Sequence, residues 1–167
     1  MIGDTGLANA LYEVGITMND INPDYVIVGE TKNYNYEMIK KAIRLVNEGA
    51  RLIATNSDIT GPDDEGLVPA CKTFVAPIET ATGKKAYFIG KPNPLIMRTA
   101  LKKIDVHSED AVMIGDNMTT DIRAGIESGL TTVLVMTGVT AKDDLGLYPY
   151  KPRYILDGIG DIVFRNE

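Results

Sequence analysis

The chain has 167 residues, 44% hydrophobic and 24% charged, which places it among ordinary globular proteins and excludes collagen-like, disordered and coiled-coil classes. Its 17 Lys and Arg stand against 23 Asp and Glu, and the resulting formal net charge of −6 repels a phosphate backbone, so nucleic acid is not expected as a partner. A single cysteine, Cys71, excludes an internal disulfide, and a single histidine, His107, excludes a two-histidine metal site. No apolar run approaches the roughly 18 to 20 residues of a membrane span, and the first residues lack the basic segment and apolar core of a signal peptide. The expectation is a cytoplasmic protein with no membrane partner.

Glycine and proline punctuate the chain between apolar runs, and the elements follow from that punctuation. Residues 25–28 (YVIV) form a continuous apolar run before Gly29 and read as a buried parallel strand. Met38, Ile39, Ala42, Ile43, Leu45 and Val46 are spaced for the inward face of a helix, with Lys40, Lys41, Arg44 and Glu48 outward and Gly49 as its stop. Residues 51–55 (RLIAT) read as the next strand. Asn56 then opens a polar loop to Gly66 that carries Asp58, Asp63, Asp64 and Glu65. A second helix is expected over 70–82, with Pro77 blurring its limits.

The second half repeats the alternation more tightly. Residues 86–89 (AYFI) read as a strand, 92–103 as a helix with proline in its first turn, and 111–114 (AVMI) as a strand. A helix is expected over 119–128, closed by Gly129, then a strand over 131–136 (TTVLVM) and a short last strand over 153–156 (RYIL). Alternating strands and helices with short links predict an α/β fold with a parallel sheet. The expected domains are 1–84 and 85–167.

Open parallel sheets bind ligands at the carboxyl ends of their strands, where loops and helix N-termini meet. Two such ends carry chemistry. The strand at 86–89 runs into Gly90-Lys91-Pro92-Asn93-Pro94, placing a lysine in a tight turn before a helix. The strand at 111–114 runs into Gly115-Asp116-Asn117-Met118-Thr119-Thr120-Asp121, placing one carboxylate at the strand tip and a second about one helical turn later. One ammonium and two carboxylates at one rim suit a phosphate handled with magnesium: oxygen ligands for a hard cation, a fixed positive charge for phosphoryl oxygens. Taken singly, each residue has a plainer reading, since aspartate and asparagine also serve as helix caps and turn formers. His107 is expected at the surface, Cys71 as a small buried side chain, and Tyr34, Tyr36, Tyr148 and Tyr150 as packing or rim residues.

The segments 90–94 (GKPNP), 114–122 (IGDNMTTDI) and 124–129 (AGIESG) resemble the third and fourth motifs of the haloacid dehalogenase superfamily. Residues 22–31 (NPDYVIVGET) and 53–58 (IATNSD) resemble the α/β cap of its NagD / 4-nitrophenylphosphatase branch. The resemblance implies a three-layer parallel α/β/α core, incomplete here, with an inserted α/β cap. It implies a magnesium-dependent phosphomonoesterase acting on a small phosphorylated metabolite, such as a sugar phosphate or nucleotide. In that reading Asp116 is a Mg2+ ligand, and Asp121 is a second carboxylate for the metal or its water shell. Asn117 orients that shell, Lys91 screens the nucleophile and the transferring phosphoryl group, and Asn56 and Asp58 help select the substrate.

The same resemblance exposes a departure. Members of the superfamily begin with an apolar strand ending in Asp-x-Asp-Gly, whose first aspartate attacks phosphorus and whose second acts as acid and base. No matching string occurs: Asp63-Asp64 lies in a polar loop, and Leu156-Asp157-Gly158 is followed by Ile159 where the second aspartate belongs. Met1-Ile2-Gly3 reads as the end of a cap strand, so the expectation is a C-terminal portion of a phosphatase. The strand at 111–114 then lacks a ladder neighbour, and a homo-oligomer or pairing with an N-terminal segment is expected. The alternative is a catalytically inactive, phosphate-binding fragment or degenerate module.

Overall fold

A computed structural model describes residues 1–64 and 66–163. The chain separates into two compact units, Met1–Gly90 and Lys91–Glu167. Both are α/β with parallel sheets, as the alternating pattern predicts.

The first unit contains α1 (Thr5–Glu13), β1 (Tyr25–Val28), α2 (Tyr36–Asn47), β2 (Arg51–Ala54), β3 (Thr60–Asp63), β4 (Gly66–Pro69), α3 (Cys71–Thr82) and β5 (Tyr87–Phe88). Its sheet has the order β1-β2-β5, all parallel, with Tyr25 opposite Arg51 and Ile53 opposite Tyr87. Val26, Val28, Leu52 and Ala54 point into one core with Ala42, Leu45 and Val46 of α2 and Cys71, Val75 and Ile78 of α3. The alternation matters: β1 is buried at every second residue, with Tyr25 exposed, so it is a half-buried strand and not the fully enclosed one that its apolar run suggests. Helix α2 begins where the Asn35 side chain accepts the Met38 N–H at 3.1 Å. It ends before Gly49, whose φ of 122° lies where L side chains are disfavoured. Pro77 is accommodated inside α3, which closes at left-handed Gly83.

Three features depart from the expected elements. The acidic loop contains the antiparallel hairpin β3–β4, whose sequences TGPD and GLVP are rich in residues that strands disfavour; pairing, not propensity, makes these strands. Helix α1 buries none of its residues fully; only Leu7, Ala8 and Leu11 are half-buried, a stripe too short to mark the helix in the sequence. Strand β5, which follows the expected junction at 84 and 85, is hydrogen-bonded to β2 and belongs to the first sheet. Ile2 makes a parallel bridge to Val28, with Ile2 N–H to Ile27 O and Gly29 N–H to Ile2 O both at 2.8 Å, so the first residues do run as strand-like backbone beside β1.

The second unit contains α4 (Pro94–Ile104), β6 (Val112–Gly115), a π-helical turn (Met118–Ile122) continuing into α5 (Arg123–Glu127), β7 (Thr131–Val135) and β8 (Tyr154–Leu156). Its sheet is parallel, in the order β6-β7-β8. Thr132 to Val135 of central β7 are buried, whereas edge strand β6 leaves Val112 53% and Ile114 36% exposed. Met118, Ile122 and Leu134 form the core with Met136, Leu145, Tyr148 and Tyr150 packed against it. The helix expected over 119–128 is thus two pieces: Ile122 N–H reaches Asn117 O at 3.1 Å, five residues back, so the first turn is wider than an α-turn. Gly125 lets that helix lie on the sheet, since a Cβ there would sit 2.5 Å from Thr132 Cγ2 and 2.9 Å from Met113 Cβ. Among the described residues no helix is long and apolar enough to cross a membrane.

Candidate active site

The carboxyl end of β6 turns sharply, and four of the six candidate residues meet there. Gly115 closes the strand, and a Cβ on it would overlap the carboxylate of Asp121, so only glycine lets that side chain fold back under the turn. Asp121 is 4% exposed. Its Oδ2 accepts the N–H groups of Asp116 at 3.2 Å and Asn117 at 3.1 Å, and its Oδ1 accepts Lys91 Nζ at 2.6 Å. A buried carboxylate is tolerated because both oxygens are satisfied and its charge is paired. The Lys91 side chain is 46% exposed, and Asp121 Oδ1 fixes the position of its ammonium.

Asp116 stands one residue beyond the strand. Its Oδ2 accepts the Val139 N–H at 2.7 Å and its carbonyl accepts the Thr140 N–H at 3.1 Å. Among the described residues its Oδ1 takes no hydrogen bond. Asn117 caps the π-turn: its Oδ1 accepts Thr119 N–H at 2.9 Å and Thr119 Oγ1 at 2.7 Å. The turn is further tied by Met118 N–H to Thr140 Oγ1 at 3.0 Å and by Tyr150 Oη donating to Met118 O at 3.1 Å. Burial pushes the Tyr150 phenol up from its ordinary value. Two carboxylates are the whole acidic set at this turn, and no group of three His, Cys, Asp or Glu comes together among the described residues.

Asn56 and Asp58 belong to the first unit. Asn56 Nδ2 donates to Glu30 Oε1 at 2.9 Å, and Asn56 Oδ1 accepts the Asp58 N–H at 3.1 Å. Glu30 Oε1 also accepts the Cys71 N–H at 3.3 Å, and Asp58 O accepts the Lys72 N–H at 3.0 Å, so the first turn of α3 is capped from these loops and not by its own Ala70. His107 is exposed, and Cys71 is fully buried with its Sγ against Val28 O at 3.3 Å.

Comparison with known proteins gives this turn a context. The HAD-hydrolase-like family profile matches residues 88–162. Dihydroxyacetone phosphatase of Corynebacterium glutamicum is 46% identical over 162 residues, which are 97% of this chain and 59% of that protein. Ribonucleotide monophosphatase NagD of Escherichia coli is 46% identical over 97% of this chain and 64% of its own length. Its solved structure superposes with a TM-score of 0.89. The chain belongs to the haloacid dehalogenase superfamily, on its NagD-like branch. The solved structure of Bs-TpNPPase is similar at 42% identity and a TM-score of 0.91, covering 98% of this chain and 66% of that one. The chain spans about three fifths of the length of the curated relatives it matches.

In this haloacid dehalogenase-type chain, sequence reasoning missed Glu30 and the run Gly138-Val139-Thr140. Glu30 follows a strand with no motif spacing to mark it. Gly138, Val139 and Thr140 follow β7 at the same rim as Asp116, and strand-end position is the one signal that points to them.

Proposed function

We propose that the chain is part of a magnesium-dependent phosphomonoesterase acting on a small phosphorylated metabolite, and that it supplies the lysine and the carboxylates of the centre. The observation that carries this reading is the joining of Lys91, Asp116 and Asp121 at the end of one strand, on a chain 46% identical to two phosphatases. The donor set suits Mg2+: carboxylate oxygens, hard ligands, with Asp116 Oδ1 not engaged by the described residues. Asp116 is then the direct ligand. Asp121, whose oxygens hold Lys91 and two backbone N–H groups, belongs to the surrounding shell, and Asn117 orients the turn between them. Bound Mg2+ would neutralise charge on the phosphoryl oxygens. Lys91 presents its ammonium to the same oxygens, and Asp121 fixes its position so that no reorganisation is needed as charge develops.

The first unit acts in this reading as the substrate-selecting cap, with Asn56 and Asp58 on its selecting loop, and the second unit as the second half of the catalytic core. The attacking aspartate comes from outside these residues, and a cytoplasmic location is part of the proposal. Edge strand β6, with Val112 and Ile114 exposed, is where an N-terminal strand or a second copy would pair. The test is hydrolysis of 4-nitrophenyl phosphate with MgCl2, by the chain alone and by the chain fused behind the part of Escherichia coli NagD that it does not cover. Turnover by the fusion and none by the chain alone supports the reading. Turnover by the chain alone overturns the assignment of the attacking group, and an inert, folded fusion that still binds phosphate favours a binding module.

A further inference from the structure

Three consecutive residues beyond β7 take hold of Asp116 in three different ways. At Gly138 the backbone passes so close to the Asp116 carboxylate that a Cβ would overlap its Oδ2. At Val139 the backbone N–H donates to that same Oδ2 at 2.7 Å. At Thr140 the N–H donates to Asp116 O at 3.1 Å, while Oγ1 accepts the Met118 N–H at 3.0 Å. Thr140 is 5% exposed, and its hydroxyl reaches the first residue of the π-turn that carries Asp121. A carboxylate with one oxygen clamped by an N–H has a fixed plane, and its other oxygen then has a fixed direction.

We propose that residues 138–140 form a clasp that positions Asp116, with Thr140 as the residue that anchors it to the turn. The clasp holds Oδ2 and directs Oδ1 outward as the cation ligand. Thr140 touches neither substrate nor metal; it acts through Val139 and Asp116. The inference rests on the magnesium reading for its consequence but not for its geometry. Partners that orient a ligating group typically change metal affinity by about 10-fold to 100-fold when removed, and a change near the lower end is expected for a residue acting one step further out.

The test is an amide-resolved NMR titration of the 167-residue chain with MgCl2, following the Val139 N–H, together with hydrogen exchange of that amide without metal. Thr140→Val keeps the shape and removes the acceptor; it is expected to weaken the Mg2+ response about 10-fold and to lower Val139 protection, with Thr140→Ser restoring both. Gly138→Ala, at an exposed position, is expected to weaken the Mg2+ response by displacing the carboxylate and serves if Thr140→Val does not fold. Folded Thr140→Val or Gly138→Ala with wild-type Mg2+ response and wild-type Val139 protection overturns the clasp. A wild-type chain that gives no Mg2+ response, with Val139 protection still dependent on Thr140, leaves the clasp standing and overturns the metal assignment.

Discussion

Lys91 Nζ and Asp121 Oδ1 lie 2.6 Å apart, yet the two residues live in different surroundings, since the Asp121 side chain is 6% exposed and that of Lys91 46%. The asymmetry dictates unequal costs of removal. Asp121→Ala strips acceptors from the Asp116 and Asn117 N–H groups as well as the partner of Lys91, and about 2 to 4 kcal/mol of stability should be lost. Lys91→Ala leaves Asp121 with both backbone donors, and the half-exposed pair is screened, so about 1 kcal/mol is expected. Urea denaturation of the two variants measures the difference; equal costs would contradict the asymmetry.

Gly115 tests how tightly the turn is built. Its Cα faces the Asp121 carboxylate, and a Cβ has no room there. Gly115→Ala should cost about 1 to 3 kcal/mol, the usual range for overpacking a close contact. It should also loosen the Lys91–Asp121 pair, seen as a Lys91 Nζ signal that exchanges faster in NMR. A variant as stable as wild type, with Lys91 unaltered, would show that the turn relaxes around the added methyl.

Stability should fall on the alkaline side, and the sign follows from Tyr34. Its hydroxyl donates to Phe74 O, its ring lies 4.8 Å from that of Phe74, and burial raises its pKa above the ordinary 10.0. The folded state therefore holds the phenolic proton more tightly than the unfolded chain. The contribution is complete below about pH 10 and is lost as pH rises through the raised folded value. Tyr34→Phe should cost about 0.5 to 1.5 kcal/mol at neutral pH and should flatten the decline above pH 10. Thermal melts at pH 7 to 11 check both statements; an unchanged alkaline slope would remove Tyr34 as its source.

The edge of β6 predicts association. A parallel edge with Val112 and Ile114 exposed is a template for another strand. Light scattering of the chain should give a mass above the monomer, and Ile114→Lys should shift it toward the monomer. A clean wild-type monomer would count against strand pairing at this edge.

Much of this architecture was legible in the sequence, for reasons particular residues make plain. Strands β1, β2, β6 and β7 announce themselves as short apolar runs, and Gly49 and Gly129 stop helices because a positive φ suits glycine at those ends. The meeting of Lys91, Asp116 and Asp121 was legible because each follows a strand end, where side chains converge. The hairpin of TGPD and GLVP was not, because its stability comes from pairing that no local propensity encodes. Nor was the hold of residues 138–140 on Asp116, since it consists of backbone N–H groups and a missing Cβ, to which side-chain chemistry is blind.

The measurement that bears most directly on the account is Mg2+-dependent hydrolysis of 4-nitrophenyl phosphate by the NagD fusion, compared with its Asp116→Asn and Lys91→Ala variants. Turnover is expected from the fusion and none from the 167-residue chain alone, with losses of about 100-fold or more in both variants and weaker Mg2+ dependence in Asp116→Asn. Unchanged rates in both variants, or turnover by the chain alone, would contradict it.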